Sequence, residues 1–131
     1  MKLLLDTHIW VWGILEPERI GARLAGELEN PENELWLSPI SVWEVLVLAE
    51  RRRLALAPDA ETWVRHWLEE RPFHQAPLNN EVSFQSRRVT LPHEDPADRF
   101  LAATALVFGL TLVTADQFLL NCEQIPTLGD R

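Results

Sequence analysis

The stretch DPADRFLAATALVFGLTLVTAD, residues 95–116, decides the fold of this chain. It opens as a helix start, because Asp95 suits the N-cap and Pro96 the first helical position, with a carboxylate following in the first turn. Residues 100–108 are apolar on nearly every side, which predicts a helix buried against a sheet, and Gly109 predicts its end. The stretch therefore predicts a central, buried helix followed by a return into the sheet.

Helical and strand patterns alternate along the rest of the sequence. The predicted strands are short and apolar and cover residues 2–5, 34–37, 73–78 and 110–113. The other predicted helical segments run from Asp6 toward Glu29 with a break near Pro17, from Ser38 to about Arg52, from Pro58-Asp59 to Glu70, from Asn79 or Asn80 to about Val89, and from Asp116. Strands that alternate with helices predict a single α/β domain over residues 1–131, with a central, mostly parallel sheet and helices on both faces.

The composition is ordinary for a globular protein, with an acidic balance of charge. A chain of 131 residues with 47% apolar and 24% charged residues suits one hydrophobic core. The net charge of −8 excludes a broad basic surface that binds nucleic acid by phosphate neutralisation alone. The arginine clusters at 51–53 and 87–88 therefore either complement the ends of helices or meet a nucleic acid locally.

The sequence gives two indications of cellular environment. No apolar run approaches the length of about 18 residues expected of a membrane span, and Asp6 comes too early for a signal peptide. We therefore expect a cytoplasmic protein with no membrane association. Cys122 is the single cysteine, which excludes a disulfide within the chain and a thiolate-rich zinc site, and its expected role is that of a small buried thiol.

Four acidic residues lie where an apolar strand ends or within a predicted helix. Asp6 and Asp116 follow predicted strands, whereas Glu44 and Asp98 belong to predicted helices. Open parallel sheets bind ligands beyond the carboxyl ends of their strands, so these side chains are expected to share one pocket. Ligation by oxygen alone favours Mg²⁺ or Mn²⁺ over zinc.

Each of these acids also has a structural explanation. Asp6 and Asp116 suit helix N-caps, and Asp98 lies at a capping position. The run Ser41-Val42-Trp43-Glu44 matches the spacing of a capping box. Capping does not explain why two of the four acids follow buried strands at the same sheet edge. Four converging carboxylates would repel one another without a cation, so binding of a divalent ion is expected to stabilise the fold.

Four ordered motifs resemble the signature of PIN-domain ribonucleases, particularly VapC-type toxins of bacterial toxin–antitoxin pairs. The motifs are Leu5-Asp6-Thr7-His8, Ser41-Val42-Trp43-Glu44, His93-Glu94-Asp95-Pro96-Ala97-Asp98-Arg99 and Leu112-Val113-Thr114-Ala115-Asp116. The resemblance spans residues 2 to about 116. It implies a PIN-like fold and a Mg²⁺- or Mn²⁺-dependent endoribonuclease that hydrolyses RNA phosphodiester bonds as the toxin of a type II pair. It also implies a cognate antitoxin as partner and a homodimer.

The resemblance assigns catalytic and metal-binding roles to an acidic quartet, Asp6, Glu44, Asp98 and Asp116. Asp6 and Asp98 are the expected ligands of one or two hard cations, which activate water and stabilise charge on the attacked phosphate. Glu44 either binds metal or orients a metal-bound water. Asp116 acts through water or binds a second ion.

Further residues are expected to support this quartet. Three candidate hydroxyls that would hold the carboxylates in position are Thr7, Ser41 and Thr114. Arg99 either contacts the scissile phosphate or forms a structural salt bridge, because adjacent helical residues do not share a face. His8 and His93 are weaker candidates for metal binding or proton transfer, since no paired histidine motif is present, and His93 has the alternative of ordering the loop before its helix.

The spacing of four tryptophans predicts how the chain packs and where a partner could bind. Trp10 and Trp12 are two residues apart, so one is expected in the core and the other toward a partner or groove. Trp63 and Trp67 share a helix face, which indicates either a core stripe or an apolar groove that suits an antitoxin helix. The antitoxin is expected to place a basic or blocking segment near the acidic site.

Three other functions compete with the nuclease. A phosphoacceptor receiver domain or a haloacid-dehalogenase-like phosphatase would need a lysine near its aspartate, and the only lysine is Lys2. The run Asp6-Thr7-His8 also lacks the second aspartate of a phosphatase D-x-D pair. The remaining alternative is a catalytically silent PIN-like module that binds proteins, and the four intact acids count against it.

Overall fold

One parallel sheet organises the structure. The computed structural model describes residues 1–130, and its strands are β1 (Lys2–Leu5), β2 (Glu34–Leu37), β3 (His74–Gln75), β4 (Thr111–Val113) and β5 (Thr127–Leu128). Their order across the sheet is β3-β2-β1-β4-β5, and every neighbouring pair is parallel. Leu4 in the central strand lies beside Trp36 of β2 and Leu112 of β4. The predicted α/β architecture is therefore confirmed.

Helices connect the strands throughout the described part of the chain. They are α1 (Thr7–Leu15), α2 (Ala22–Glu29), α3 (Pro39–Glu50), α4 (Ala60–Glu70), α5 (Asn80–Ser86), α6 (Pro96–Phe108) and α7 (Gln117–Leu120). A 3₁₀ turn at Pro17–Arg19 separates α1 from α2 and accounts for the expected break near Pro17. Within residues 1–130, no helix combines the length and the apolar character needed to span a membrane.

Alternate strand residues enter two cores on opposite faces of the sheet. Leu3 and Leu5 pack with apolar residues of α1, α2 and α4, whereas Leu4 packs with those of α6. Val113 and Leu112 of β4 divide between the two cores in the same way. Helices thus cover both faces, as predicted, and the residues that follow the strands are left at the edge between the two helical layers.

The buried helix α6 forms as its sequence predicts. Asp95 caps it by accepting a hydrogen bond from the Asp98 N–H at 3.3 Å, and Pro96 occupies the first position. Gly109 ends it in the left-handed conformation, with a φ of 64°, which glycine adopts without steric cost. Residues 101–105 between these ends are at most 1% exposed. Burial of this central segment anchors the first turn of α6, and hence Asp98, at the edge of the sheet.

Two predicted elements are shorter in the structure. The strand predicted at 73–78 is limited to β3, because Pro77 has no N–H with which to continue the ladder beyond Ala76. The helix predicted to reach about Val89 ends at Ser86, whose carbonyl accepts a hydrogen bond from Arg99 Nε at 2.8 Å. The Arg99 side chain of α6 thus donates a hydrogen bond to the last backbone carbonyl of α5.

The strand β5 was missed by the sequence patterns. It has only two residues, Thr127 and Leu128, and it follows Pro126. It joins the sheet because Leu112 and Thr114 of the β4 segment donate backbone hydrogen bonds to the Pro126 and Leu128 carbonyls. Pairing with β4, rather than local apolar alternation, determines this element.

Candidate functional site

The four predicted acids converge on one cavity at the carboxyl edge of the sheet. Asp6 follows β1, Asp116 begins α7 after β4, Glu44 lies on α3 and Asp98 lies on α6. All four line a cavity of about 320 Å³, together with His8, Trp12, Asp95 and Ala115. We call it the acidic cavity. It lies at the place where open parallel sheets bind ligands.

Asp6 occupies the N-cap position of α1, yet its carboxylate makes no capping hydrogen bond. Instead, Asp6 Oδ2 accepts a hydrogen bond from the Thr114 hydroxyl at 2.7 Å. The residue is 6% exposed, and this desolvation raises the pKa of Asp6 to about 6, although the Thr114 hydrogen bond opposes the rise. Helix capping therefore does not account for this buried carboxylate.

Asp98 is the most perturbed acid of the cavity. Its backbone N–H is satisfied by Asp95, so Asp95 caps α6 and the Asp98 carboxylate lines the cavity. Desolvation, followed by repulsion from Asp6, Asp95, Asp116 and Glu44, raises the pKa of Asp98 to about 8. At neutral pH this site retains a proton unless a cation takes its place.

His93 contacts the Asp98 carboxylate. His93 Nε2 lies 3.4 Å from Asp98 Oδ2, and His93 Nδ1 accepts a hydrogen bond from the Asp95 N–H at 3.2 Å. An Nδ1 that accepts places the proton of a neutral imidazole on Nε2, directed at Asp98. Single ligand atoms of His93, Asp98 and Asp116 also lie within 4.8 Å of one another. A metal ion on Nε2 would nevertheless require the opposite tautomer and the loss of the Asp95 bond, so the geometry favours a hydrogen bond from His93 to Asp98.

Asp116 combines a structural contact with its place in the cavity. Its Oδ1 accepts hydrogen bonds from the Phe118 N–H at 2.8 Å and the Leu119 N–H at 3.2 Å, which caps α7. Its own N–H donates to the Thr114 hydroxyl at 3.0 Å. The capping explanation thus holds for this acid, and the same contacts fix its carboxylate at the cavity wall.

Glu44 faces the cavity from α3, more than one turn after the Ser38 cap. Ser38 accepts a hydrogen bond from the Ile40 N–H at 3.0 Å, so the capping-box alternative for Glu44 does not apply. Glu44 is half-buried, and its negative charge contributes to the raised pKa values of Asp6 and Asp98. It therefore belongs to the same electrostatic cluster.

The three predicted hydroxyls are buried beneath the carboxylates. Thr7, Ser41 and Thr114 are each 0% exposed. The Thr7 hydroxyl donates to Ser41 Oγ at 2.9 Å and so joins α1 to α3, while Thr114 contacts Asp6 directly. Thr114 therefore positions a carboxylate itself, and the Thr7–Ser41 pair fixes the two helices between which the cavity opens.

Arg99 is directed away from the acidic cavity. It is 6% exposed, and its guanidinium donates to the carbonyls of Ser86, Val89 and His93 at 2.8, 2.9 and 3.4 Å. Glu94 Oε2 lies 3.9 Å from its Nε. Of the two alternatives for Arg99, these contacts support the structural one, because its donors are committed to buried carbonyls.

Comparison with known proteins agrees with this architecture. The PIN domain family matches residues 3–121 of the chain. The chain belongs to the PIN-domain family. This PIN domain is 35% identical over 118 residues to Ribonuclease VapC22 of Mycobacterium tuberculosis, an alignment that covers 88% of the chain and 87% of that protein. The predicted family is thereby confirmed.

Solved structures share the fold of this PIN domain at low sequence identity. The structure of VapBC2 from Rickettsia felis bound to a promoter DNA fragment superposes with a TM-score of 0.75 at 14% identity, covering 98% of both chains. DNA-bound VapBC from Salmonella typhimurium gives 0.72 at 17% identity, covering 100% of this chain and 99% of the other. These similarities establish the common fold.

One feature of the PIN-domain site was not predicted from its sequence: Asp95, expected only as a cap, also lines the acidic cavity. The position of Asp95 could have been predicted, because Asp95 and Asp98 are three residues apart and side chains at that spacing share one face. His8, a candidate for metal binding or proton transfer, and Trp12 form part of the same wall. Trp10 is 3% exposed and fills the core. Because helical residues two apart do not share a face, Trp12 lies at the cavity wall instead. This division matches the expectation for the two tryptophans.

Proposed function

We propose that this PIN-domain protein is a metal-dependent endoribonuclease and the toxin of a type II toxin–antitoxin pair. The observation that carries the proposal is the convergence of four carboxylates on the acidic cavity, with the pKa values of Asp6 and Asp98 raised to about 6 and about 8. Strongly perturbed acids in a cavity are typical of functional sites. The 35% identity to a ribonuclease supports RNA as the substrate.

The residues of the acidic cavity fit a hard divalent cation. Four carboxylates supply oxygen ligands, the set that suits Mg²⁺ or Mn²⁺. Mutual repulsion and burial oppose their ionisation, and a cation would relieve both effects. Asp6 and Asp98 are the ligands we propose, with Glu44 and Asp116 completing the set.

The protein's own part in the reaction is to hold these oxygens in place. When bound, the cation would lower the pKa of a water molecule and neutralise charge that develops on the phosphate. Thr114 orients Asp6 by a hydrogen bond, and His93 donates toward Asp98. Asp116 is fixed by the first turn of α7. Glu44, which lines the cavity from α3, either completes the ligand set or orients a metal-bound water.

We also propose an antitoxin and a second copy of the chain as partners. The related folds were solved as VapBC assemblies, which supports an antitoxin for this chain. A cavity of about 440 Å³ between α3 and α4, lined by Pro39, Val42, Leu68 and Phe73, offers an apolar groove for an antitoxin helix. Trp63 is 8% exposed and Trp67 packs against the same core, so these two rings form a core stripe and do not line the groove themselves.

The test is cleavage of total cellular RNA by the antitoxin-free protein, in Mg²⁺ or Mn²⁺ and in EDTA. We expect discrete products with metal, and a loss of rate of about 100-fold or more in Asp6→Asn and Asp98→Asn. Glu69→Gln, which changes an exposed carboxylate on α4, is the control and should retain activity. Thermal melting of each variant separates loss of chemistry from loss of fold.

The same experiment distinguishes the alternative of a silent protein-binding module. Metal-induced stabilisation without cleavage of RNA, combined with tight antitoxin binding, would favour the module. Equal cleavage by the wild type and both asparagine variants would contradict the proposed site.

A further inference from the structure

A second cavity adjoins the acidic cavity. It has a volume of about 300 Å³, at the lower end of the roughly 300–1,000 Å³ typical of ligand pockets. We call it the arginine-rimmed cavity; its lining includes His8, Trp12, Arg19, Leu48, Arg53 and Leu54. His8 and Trp12 belong to both cavities and form the wall between them. A polymeric ligand held at the acidic cavity can therefore extend directly into the second one.

The indole of Trp12 lines this cavity and carries the Arg19 guanidinium over its ring. The Arg19 guanidinium carbon lies 4.1 Å from the centre of the Trp12 ring, and the His8 ring centre lies 5.8 Å from the Trp12 ring. Arg19 remains 52% exposed and is held in place by a 3.0 Å ion pair with Glu16. Unpaired nucleobases stack on aromatic rings and on arginine guanidinium planes, and this pair offers both.

The backbone after α3 brings a second arginine to the same rim. Arg52 has a φ of 58°, a left-handed conformation that is uncommon outside glycine and that reverses the chain at the end of the helix. This reversal lets the Arg53 N–H donate to the Leu48 carbonyl at 2.9 Å. The backbone of Arg53 is thereby fixed beside the cavity, whose lining includes this exposed arginine.

The charge of this rim differs from that of the protein as a whole. Two guanidinium groups, Arg19 and Arg53, face one carboxylate, Glu16, within a chain of net charge −8. Beside it lies the acidic cavity, which would require a cation before it could accept a phosphate. The lining also includes the apolar residues Val11, Leu15, Leu48 and Leu54. The arginine-rimmed cavity therefore combines apolar side chains with two guanidinium groups, and this combination suits an anionic ligand that carries flat aromatic groups.

We propose that the arginine-rimmed cavity binds the nucleotide adjacent to the scissile phosphate of single-stranded RNA. Its base packs against the Trp12–Arg19 stack, and its phosphate lies near Arg53. This inference rests on the proposed nuclease function and adds a binding site that the acidic quartet does not provide. The site selects unpaired RNA, because a base within a duplex cannot reach the indole.

The test measures RNA binding separately from cleavage. A cleavage site is first mapped with the wild type, and a fluorescent single-stranded oligonucleotide spanning it is then titrated by anisotropy with Ca²⁺ in place of Mg²⁺. We expect Trp12→Ala to weaken binding by about tenfold and Trp12→Phe to retain most of it. Arg53→Ala should weaken binding several-fold. The control is Arg65→Ala, which removes an exposed arginine of α4 that lines neither of the two cavities. It should leave RNA binding unchanged.

A double-mutant cycle with the RNA makes the test specific. Removing the base from the nucleotide next to the cleaved bond should weaken wild-type binding as much as Trp12→Ala does. For Trp12→Ala, removal of the same base should weaken RNA binding little further, because the two changes remove the same interaction. If Trp12→Ala lowers the melting temperature, the test rests on Arg53→Ala and on the abasic RNA titrated with the wild type.

Four results would overturn the inference. Additive losses in the cycle would do so, and so would unchanged affinity in Arg53→Ala together with no effect of the abasic nucleotide. Either of these would show that RNA does not bind in this cavity, while the nuclease function stands. Unchanged RNA binding with weakened antitoxin binding would assign the cavity to a protein segment. Failure of the wild type to cleave or bind RNA would refute the proposed function and this inference together.

Discussion

At the scale of single residues, Thr114 connects the Asp6 carboxylate to the backbone of Asp116. Its hydroxyl donates to Asp6 at 2.7 Å and accepts the Asp116 N–H at 3.0 Å. Because the residue is 0% exposed, water has no room to replace either contact without rearrangement. The hydrogen bond also lowers the pKa of Asp6 against the effect of burial.

Replacing this hydroxyl by a methyl group gives a prediction for metal binding. In Thr114→Val we expect the pKa of Asp6 to rise further and Mn²⁺ affinity near pH 7 to fall by about tenfold, as is typical for groups that orient ligands. Calorimetric titration with Mn²⁺ measures this. The matched control is Thr104→Val, since Thr104 is also buried but donates to the Phe100 carbonyl within α6. Equal Mn²⁺ affinities in the two variants would refute the role of Thr114.

At the scale of elements, Arg99 joins α6 to the segment that follows α5. Its three carbonyl acceptors belong to Ser86, Val89 and His93, so one guanidinium fixes both the end of α5 and the loop before α6. That loop carries the imidazole that contacts Asp98. The packing of α5 against α6 and the geometry of the acidic cavity thus depend on the same buried side chain.

We expect Arg99→Lys to lower the free energy of unfolding by about 2–3 kcal/mol, because lysine cannot reach all three carbonyls and leaves buried acceptors unpaired. Urea unfolding followed by circular dichroism measures the change. Arg87→Lys, which alters an exposed ion pair with Glu94 in the same region, should change stability little. Equal stability of both variants would show that the three hydrogen bonds contribute nothing.

The elements that sequence patterns predicted are those in which local and tertiary signals agree. The strand β1 and the helix α6 have continuous apolar runs, and α6 also has clear start and stop residues. The missing strand β5 and the shortened α5 are determined by tertiary partners outside the element itself, namely β4 and Arg99. The convergence of the acids could be predicted from the sequence, because parallel sheets bind ligands beyond the carboxyl ends of their strands. The contact between His93 and Asp98 could not be predicted, because it depends on the geometry of the loop before α6.

At the scale of the whole molecule, the acidic cavity couples stability to pH. The folded protein keeps the protons of Asp6 and Asp98 up to about pH 6 and about pH 8, whereas an unfolded aspartate loses its proton near 3.8. The folded state therefore binds more protons between these values, and its stability falls as the pH rises through them.

For the metal-free protein we expect the free energy of unfolding to fall by about 2 kcal/mol or more between pH 5 and pH 8. Urea titrations in EDTA across this range measure the slope. Asp98→Asn should flatten the profile, and saturating Mn²⁺ should raise stability most at the alkaline end, where protons no longer compete for the ligands. A metal-free wild type that gains stability over the same range would contradict the raised pKa values.

The hydrogen bond between Thr114 and Asp6 joins residues 108 positions apart. The central strand that carries Asp6 lies between β2 and β4, so its carboxyl end is complete only after β4 has been added to the sheet. During synthesis on the ribosome, the segment that contains β4 and Thr114 must therefore emerge before the acidic cavity can exist. The first strand to be made is followed by a carboxylate whose partners are supplied only by a much later part of the chain.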